Sequence, residues 1–547
     1  MENIKTPGVY IVEKNAFPNS VVEAGTAIPA FIGITEKAQN GNDDLTGIPW
    51  RISSMAEYLQ YFGGAPKAKF MVDIKKYFYL SEKQKKNTKT LLANLAEPAT
   101  KVFKYCVCPI GETEKIVFDN NVGIKESDAG EDTPVGYAFC IDVDNRYTLY
   151  YNMMLFFANG GGTCYVVSEG SYGNKNSGTL NYNKVGTALT ALEKIQEVTL
   201  IIVPEAVESD TCANIQQLML KHCGEMENRF AILDVSSKYS GNEPLNTRLE
   251  TFRESIGNSY MSYGAAYFPW LNTSILGNKD LTGEMFSWSD SANSYIIKFS
   301  QSDSMLQNIM DLFRTKVITA EKDNVAKIKN DLHKVLDSGS VIYRQAMKAV
   351  LKYMNLLPPS AAMAGIYTMV DNSRGVWKAP ANVTLNYVTG TAEDICDYQQ
   401  ENFNAPINGK SINVIRFFSG EGVKVWGART LDGNSPQWRY IIVRRTLSFL
   451  KESVKNAVCA YVFEPNDAGT WLNVKCMIEN FLLSVWKRGG LAGDTSKDAF
   501  EVHVGLGDTM TCEDVIEGIM RITVLVRIGN NIADFVEITF QQQMQKS

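Results

Sequence analysis

The chain has 547 residues, which exceeds what one compact core holds and predicts two to four domains. The 45% hydrophobic and 11% aromatic residues are typical of a folded protein, and a formal net charge of −6 argues against nucleic-acid binding as the main function. The apolar runs are too short to span a bilayer, no signal-peptide pattern is present, and the scattered cysteines indicate synthesis in a reducing cytosol.

The N-terminal stretch TPGVYIVE predicts a β-strand close to the free end of the chain. β-branched and aromatic residues fill its centre at Val9, Tyr10, Ile11 and Val12. A strand at a chain end needs a partner to stay ordered. The pattern leaves open whether that partner lies in the same chain or in another, and on the residues alone pairing within the same domain is favoured.

Further elements follow in chain order. The sequence predicts a second strand at 28–35, then a helix at 53–62 with a serine N-cap. The lysine-rich and then acidic stretch 81–133 predicts a variable surface insertion. From residue 147 the stretch YTLYYNMMLFFANGGG predicts a helix ended by glycines. The segments TCYVVS, EVTLIIVPEA, RFAILDV and SYGAAYFPWL predict strands that alternate with helices, which indicates βαβ units on a parallel sheet.

The last half of the chain begins with charged helical segments at 300–355, which LPPSAAMAGIY interrupts. Apolar residues at helical spacing predict two strong helices at 438–461 and 467–486, and FEPND between them supplies a proline stop and a new Asn/Asp cap. Two strands at 519–528 and 533–540, joined by GNN, predict a terminal hairpin.

The best candidate for a phosphate-binding loop is NAPINGKS, which ends in Gly409, Lys410 and Ser411. Asn404 stands where such a loop has its first glycine, and Pro406 removes a backbone N–H that would contact phosphate. We therefore predict a surface turn at this place. NGGGTC and FFSGEG also predict turns, because neither has the flanking elements or the residue order of a catalytic loop.

No other group of residues has the spacing of a catalytic or metal site. Cys106 and Cys108 lack a second cysteine pair, so we expect no zinc site. His222 and His333 fall in charged helices and are predicted to be solvated, whereas His503 is predicted to lie in a strand. We therefore predict no catalytic residues, no cofactor and no metal.

Several segments, taken together, resemble the contractile tail sheath family of phage tails, pyocin-like particles and extracellular injection systems. They run in family order along nearly the whole chain: TPGVYIVE, AIPAFIGITEKA, SMAEYLQYFGG, FFANGGGTCYVVS, LEKIQEVTLIIVPEA, RFAILDV, AGIYTMVDNSRGVWKAPAN, GVKVWGARTL and the long block from WRYIIVRRTL to KRGGLAG. The stretches at about 65–140 and 275–350 do not match and are expected to be outward-facing, variable insertions.

The resemblance implies an α/β and α+β multidomain chain, in which an inner α+β domain is built from the N- and C-terminal segments and a central α/β domain is inserted. The expected divisions are an N-terminal arm with the first strand of the inner domain (1–45), a variable inserted region (46–145), the central α/β domain (146–275), a helical outer insertion (276–355), and the C-terminal inner domain with its terminal hairpin (356–547).

The function implied by the resemblance is that of a structural subunit, not an enzyme. Such subunits polymerise as a helical tube around an inner tube and contract to drive that tube through a target envelope. The resemblance implies that neighbouring subunits exchange strands through Val9, Tyr10, Ile11, Val12, Phe535, Val536 and Ile538. Exchange through a free strand edge is physically reasonable, because Lys5 and Pro7 flank the arm strand as residues that protect edges do.

Inner-tube contacts are expected in the C-terminal domain. Lys487 and Arg488 are the first candidates, and the short helix near 511–518 is the alternative. The basic pair Arg444 and Arg445 is expected to make intersubunit or internal ion pairs. Exposed ion pairs are weak and sensitive to salt, which suits contacts that must release.

The implied partners are further copies of the chain, an inner tube protein, and baseplate and terminal cap proteins, with no direct nucleic-acid contact and no membrane insertion. Assembly is expected in the cytoplasm, in a phage tail or tail-like particle that is released by lysis or anchored at the envelope. Two alternatives remain: a sheath-related terminator or adaptor that forms rings, and a soluble α/β enzyme that uses the central parallel sheet.

Overall fold

The structure is a computed structural model that describes residues 21–78, 105–110, 135–143, 146–173, 180–236, 245–288, 308, 312, 322–404, 406, 408–529 and 535–544. Its strands are β1 (Pro29–Thr35), β2 (Gln39–Asn40), β3 (Asp43–Asp44), β4 (Trp50–Ile52), β5 (Phe70–Phe78), β6 (Tyr105–Ile110), β7 (Val135–Val143), β8 (Cys164–Ser171), β9 (Leu200–Ile202), β10 (Phe230–Asp234), β11 (Gly264–Phe268), β12 (Leu271–Thr273), β13 (Phe286–Trp288), β14 (Leu356–Leu357), β15 (Val388–Thr391), β16 (Ile412–Phe418), β17 (Gly422–Val425), β18 (Phe500–His503), β19 (Ile519–Val526) and β20 (Val536–Gln543).

The α-helices are α1 (Met55–Phe62), α2 (Leu149–Ala158), α3 (Tyr182–Leu192), α4 (Cys212–Met226), α5 (Leu245–Ser255), α6 (Lys322–Gly339), α7 (Val341–Met354), α8 (Ser360–Arg374), α9 (Asp397–Asn404), α10 (Ile441–Val458), α11 (Ala468–Lys487), α12 (Ser496–Ala499) and α13 (Cys512–Ile516). The described strands form five sheets. Three of them organise the packed units described below, which are a central sheet, a sheet from the two unmatched stretches, and a C-terminal sheet, and the other two are the small sheets β14-β12-β15 and β2-β3. Within the described ranges, no helix combines the length and the apolar character that crossing a bilayer requires.

Eight strands form the central sheet in the order β17-β16-β11-β10-β9-β1-β8-β4. The six inner strands are parallel, and the edge strands β17 and β4 are antiparallel to their neighbours. The inner strands are short apolar runs that are mostly buried, which is the pattern of a parallel sheet covered on both faces. The parallel sheet predicted from alternating helices and strands is therefore present.

Helices cover both faces of this sheet. Side chains of α2 and α8 pack on one face, and those of α3, α4 and α5 pack on the other. The helices α2 and α8 approach closely because position 365 is glycine, where a Cβ atom would lie 2.7 Å from the carbonyl oxygen of Phe156. Strand β1, which the sequence analysis grouped with the C-terminal segment, lies between β8 and β9 in the middle of the sheet.

A second sheet combines the two stretches that have no match in the family resemblance. Its order is β13-β5-β7-β6, so that a strand from the later stretch is joined to three strands from the earlier one. Strands β13 and β5 are parallel, and the stacked rings of Phe286 and Phe70 lie 5.9 Å apart. The two stretches were predicted as separate insertions, and in the structure they share one sheet.

The C-terminal unit packs α10 and α11 against the antiparallel sheet β18-β19-β20. Strand β19 alternates between partly buried and buried residues, as expected of a sheet with one face on a core. It pairs with β20 from Ile519 opposite Gln543 to Val526 opposite Val536, which confirms the predicted hairpin. The predicted cap of the second strong helix is also confirmed, because the Asp467 carboxylate accepts a hydrogen bond from the backbone N–H of Thr470 at 2.9 Å.

Candidate assembly interface

The strand β20 has one edge that no described strand covers. In the described part of the chain β20 pairs only with β19, and Val536 and Ile538 lie opposite Val526 and Val524 of the same chain. Phe535 precedes the strand, and its ring centre lies 4.9 Å from the guanidinium carbon of Arg527. One edge of β20 is therefore used inside the subunit, and no described strand pairs with its other edge.

The four arm residues of the predicted exchange lie outside the described residues. They are Val9, Tyr10, Ile11 and Val12. The first residue that the structure describes is Val21.

A groove with a volume of about 390 Å³ runs beside β20. Its walls are Glu537–Phe540 of the strand, Glu225–Asn228 at the end of α4, and Ser448, Lys451, Glu452 and Lys455 of α10. The two walls opposite β20 are joined to each other. The Lys451 ammonium pairs with the Glu227 carboxylate at 3.1 Å, and the Ser448 hydroxyl donates to the Glu227 carbonyl oxygen at 2.8 Å. The groove is polar and contains charges of both signs.

The first described residues, 21–27, form a segment that we call the strap. Its Ala24 N–H donates to the Ser453 hydroxyl on α10 at 3.0 Å. The carboxylate of Glu23 pairs with the guanidinium of Arg488, and both side chains are 42% exposed. Val21 packs against the hydrophobic cluster of the C-terminal unit. The strap is therefore attached to the C-terminal unit before the chain continues into β1 of the central sheet.

The predicted inner-tube candidates differ in their surroundings. Lys487 is exposed at the end of α11. Arg488 is engaged within the subunit, since it pairs with Glu23 and lies 5.2 Å from the ring centre of Trp377. The alternative helix, α13, is only five residues long, and its Ile516 is 79% exposed. Lys487 and α13 thus present side chains to the exterior of the described subunit, whereas Arg488 contributes to the strap.

The basic pair on α10 makes internal contacts, which is one of the two predicted alternatives, the other being contacts between subunits. Arg444 is stacked between Tyr263 and Trp438, with ring centres 4.2 and 3.8 Å from its guanidinium carbon. Arg445 donates two hydrogen bonds, of 2.9 and 2.6 Å, to the carboxylate of Asp371 on α8. Burial acts to lower the pKa of Arg445, but the Asp371 carboxylate outweighs it, and the pKa is raised above its usual value.

This ion pair joins two units of the molecule. Asp371 lies on a helix of the central sheet, and Arg445 lies on a helix of the C-terminal unit. Arg445 also donates to the carbonyl oxygen of Thr26 in the strap at 2.7 Å. Both partners are almost fully buried, so removal of either would leave an uncompensated charge in the interior.

The crevice in which an α/β enzyme would bind a ligand is filled by a side chain of this protein. In open α/β sheets that crevice lies at the carboxyl ends of the strands where the strand order reverses, here at β1 and β9. The buried Glu205 carboxylate occupies it and accepts hydrogen bonds from the N–H groups of Ile34, Thr148 and Leu149 at 2.8, 2.8 and 3.0 Å. Two of these donors belong to the start of α2, where a phosphate would otherwise bind.

The sequence around this carboxylate fits its close packing. Position 33 is glycine, and a Cβ there would lie 2.8 Å from a carboxylate oxygen of Glu205. Burial raises the pKa of Glu205 to about 7, although the three backbone N–H donors act in the opposite direction. The first backbone N–H groups of α2 are therefore satisfied by a side chain of the same subunit.

The candidate phosphate loop is a turn, as predicted, but it is not at the surface, because Lys410 and Ser411 are buried. It connects α9 to β16, whereas a phosphate loop follows a strand and opens a helix. The ammonium of Lys410 donates to the carbonyl oxygen of Arg253, and the Ser411 hydroxyl donates to the carbonyl oxygen of Asn404 at 2.7 Å. Both side chains that would contact phosphate are thus used to hold the turn.

The prediction that two of the histidines are solvated is wrong. His222 is 5% exposed, and its Nε2 lies 2.6 Å from the guanidinium of Arg229. Burial, and secondarily Arg229, lower the pKa of His222 to about 4. The sequence signal was its position on the apolar stripe of α4, three residues after Met219 and beside Cys223.

His333 is half-buried in the second sheet unit, where its Nδ1 lies 2.7 Å from the Tyr343 hydroxyl and its ring stacks on Phe286. His503 ends strand β18, as predicted. Across the described ranges, no group of three or more His, Cys, Asp or Glu side chains is placed to hold a metal ion.

No protein-family model matches the chain. Two curated relatives match part of it. The putative prophage major tail sheath protein of Pseudomonas aeruginosa (strain UCBPP-PA14) is 24% identical over 120 residues, and the tail sheath protein of Vibrio phage KVP40 is 25% identical over 135 residues. These matches cover 22% and 25% of this chain, and they span only 30% and 20% of the length of the relatives.

Solved structures are similar over nearly the whole chain. The contracted sheath complex of the PVC extracellular contractile injection system has 24% identity and a TM-score of 0.53, covering 99% of this chain and 98% of that one. The contracted helical sheath of the anti-feeding prophage has 23% identity and a TM-score of 0.54, with 98% and 99% covered. A chain in the contracted anti-feeding prophage baseplate has 21% identity and a TM-score of 0.56, with 98% of each covered.

The aligned regions cover 98% to 99% of this chain. Helices and several sheets are combined in one α+β multidomain chain, as the resemblance implied. The resemblance to the contractile tail sheath family is confirmed, and the chain has the fold of contractile sheath subunits.

Proposed function

We propose that the chain is a structural subunit of a contractile sheath, which polymerises as a helical tube around an inner tube and contracts to drive that tube through a target envelope. The observation that carries the proposal is the likeness in fold, over 98% to 99% of the chain, to subunits of two contracted sheaths. Assembly takes place in the cytoplasm, and the particle is a phage tail or a tail-like injection device.

The proposed link between subunits is strand exchange. The arm strand Val9–Val12 of one copy adds to the uncovered edge of β20 in a second copy, next to Val536 and Ile538. Four or five backbone hydrogen bonds of about 1 kcal/mol each would form per subunit. This is weak for one contact, but it is repeated at every subunit of a helical tube.

Contraction moves subunits as rigid bodies that remain tied by the exchanged strands. The ion pair between Asp371 and Arg445 supports this, because it holds the central and C-terminal units of one subunit together through a buried contact. The stroke releases energy stored at the interfaces between subunits and consumes no nucleotide. The carboxylate of Glu205 at the start of α2 is consistent with a structural function of the central sheet.

Contacts to the inner tube are proposed at the exposed Lys487 and at α13, with Arg488 contributing only if its pair with Glu23 opens. Baseplate and terminal cap proteins are the proposed partners at the ends of the tube. A ring-forming adaptor of the same fold is the second candidate, and the likeness to a chain in a baseplate structure favours it.

Negative-stain electron microscopy of the purified chain, with and without residues 1–14, tests the proposal. We expect hollow cylinders from the intact chain and none from the truncated chain. Ile11→Lys places a charge within the predicted arm strand and should act like the deletion, whereas Lys14→Ala beyond that strand is the matched control. Discrete rings from the intact chain would favour the adaptor, and monomers from every variant would contradict self-assembly.

A further inference from the structure

Large apolar side chains are exposed at one end of the C-terminal unit. Phe463 in the connection between α10 and α11 is 81% exposed, Leu472 near the start of α11 is 61% exposed, and Ile516 on α13 is 79% exposed. Asn466 joins these segments, because its amide donates to the carbonyl oxygen of Ile519, directly after α13, at 3.3 Å. Exposed apolar side chains gathered at one end of a unit indicate an interaction surface.

The same end of the unit is acidic. The segments 461–470 and 511–519, which we call the acidic end, contain five acidic residues and no basic residue. Asp514 is buried and pairs with Arg521 at 3.0 Å. The other four acidic residues are exposed, namely Glu464, Asp467, Glu513 and Glu517. The apolar surface is therefore surrounded by negative charge.

The opposite end of the unit is basic. The 20-residue helix α11 leads to it from the acidic end over about 30 Å. The segments 372–378 and 484–499, which we call the basic end, contain five basic residues against two acidic ones. Trp377 brings the two segments together, because a Cβ atom at position 490 would lie 2.9 Å from its indole ring. Besides Arg488, which pairs with Glu23, the exposed basic residues are Arg374, Lys378, Lys487 and Lys497.

The two ends are complementary in charge, and both present apolar surface. At the basic end the indole rings of Trp377 and Trp486 are only partly buried. A contact between two different surfaces of one chain is heterologous, so it repeats from copy to copy. When the rotation between copies does not close a ring, such a contact produces an open helical filament. This is the kind of polymer proposed above.

We propose that the acidic end of one copy docks on the basic end of a second copy, where Phe463, Leu472 and Ile516 pack against the second chain. The inference rests on the polymerisation proposed above, and it adds a contact that uses neither the arm strand nor the edge of β20. Its charged groups are exposed, so the contact weakens as salt rises.

The test uses two triple charge reversals in the full chain. One variant reverses the acidic end through Glu464→Lys, Glu513→Lys and Glu517→Lys. The other reverses the basic end through Arg374→Glu, Lys378→Glu and Lys497→Glu. Lys487, a tube candidate, is unchanged in both. We expect each variant alone to lose sedimenting polymer, because both of its ends then have charge of the same sign.

An equimolar mixture of the two variants is the decisive measurement. Copies that alternate along the filament again bring a positive end to a negative end at every contact, so the mixture should regain polymer. Polymer at the level of the intact chain from either variant alone would overturn the inference. A mixture that fails to regain polymer would overturn it as well.

The matched control reverses three exposed charges of the central unit, through Glu193→Lys, Glu254→Lys and Glu401→Lys. This variant should sediment like the intact chain, and loss of its polymer would assign the effect to net charge and overturn the inference. Circular dichroism and the urea midpoint show that each variant is folded.

The intact chain separates the two proposals. If it does not polymerise, the proposed function fails and the contact between ends fails with it. If the intact chain and all variants polymerise equally, only the contact between ends fails, and an inner tube protein becomes the partner to test at the acidic end.

Discussion

The central sheet and the C-terminal sheet end in different ways. The central sheet ends on each side in a strand of only three or four residues, β4 and β17, and helices cover both of its faces. The C-terminal sheet ends in the eight-residue strand β20, and no described strand lies on its far side. Short edge strands limit unwanted pairing, whereas a long uncovered edge invites it. The first sheet ends in short strands on both sides, and the second ends on one side in a long strand that pairs only with β19 among the described residues.

The two regions also differ in their electrostatics. The pair Asp371–Arg445, between the central sheet and its neighbour, is buried and held by two hydrogen bonds. The pair Glu23–Arg488, in the strap, is exposed. A buried pair is costly to break, and an exposed pair contributes little to folding. The contrast separates a buried contact between two units of the subunit from an exposed contact at the first described residues.

The largest effect is expected from Asp371→Asn. The substitution leaves the Arg445 guanidinium buried without its counter-charge, and we expect the free energy of unfolding to fall by about 3–5 kcal/mol. Urea denaturation measures the change. The double variant Asp371→Leu with Arg445→Met removes both charges and should lose much less. Equal losses in both variants would indicate that packing, and not the unpaired charge, determines the cost.

The next effect concerns pH and the carboxylate within the central sheet. The pKa of Glu205 is raised to about 7 from a usual value of 4.5, so the folded state holds its proton more tightly over that range. The resulting stabilisation is present below pH 4.5 and is lost as pH rises to 7. Because of this group, the free energy of unfolding should fall by about 2 kcal/mol when the pH is raised from 5.5 to 8.

Urea midpoints of the intact chain and of Glu205→Gln at the two pH values isolate this contribution. The variant should lack the pH-dependent contribution of Glu205 to the free energy of unfolding. The pKa of Asp234 is likewise raised to about 7, but Asp234 is present in both proteins and its contribution cancels in the comparison. An identical pH dependence in the two proteins would show that Glu205 is ionised throughout this range.

The smallest effect on folding is expected from Glu23→Gln in the strap. Because the pair with Arg488 is exposed, the free energy of unfolding should change by less than about 1 kcal/mol. The change is measured by urea denaturation at low and high salt, and salt should reduce it further. A loss as large as that of Asp371→Asn would mean that the exposed pair matters as much for folding as the buried pair, which would remove the contrast drawn above.

Local features were predictable from the sequence because local residues determine them. The Asp467 cap, the terminal hairpin and the alternation that produces the parallel sheet depend on neighbouring residues and on short periodic patterns. The prediction that His222 is solvated was wrong, because a helix with many charged residues can still pack one apolar stripe against a sheet. His222 lies on that stripe and is buried.

The pairing between distant segments of the chain could not be predicted from the sequence. Nothing in PAFIGIT says that its neighbours are β8 and β9, and nothing local joins β13 to β5 across some 200 residues. Glu205 was likewise missed, because its three N–H donors come from two other segments of the chain. The buried ion pair was predicted only as one of two readings, since the sequence does not show which helix faces Arg445.

The second sheet has a consequence for how such proteins can be modified. Its strands come from two stretches of the chain, which meet where the ring of Phe286 stacks on the ring of Phe70. The Phe286 ring also stacks on the ring of His333. A foreign domain grafted in place of only one stretch would leave either three strands or one strand of this four-stranded sheet without their partners. Exchange of this unit between relatives, or its replacement by a cargo, therefore has to be made at both sites of the gene together.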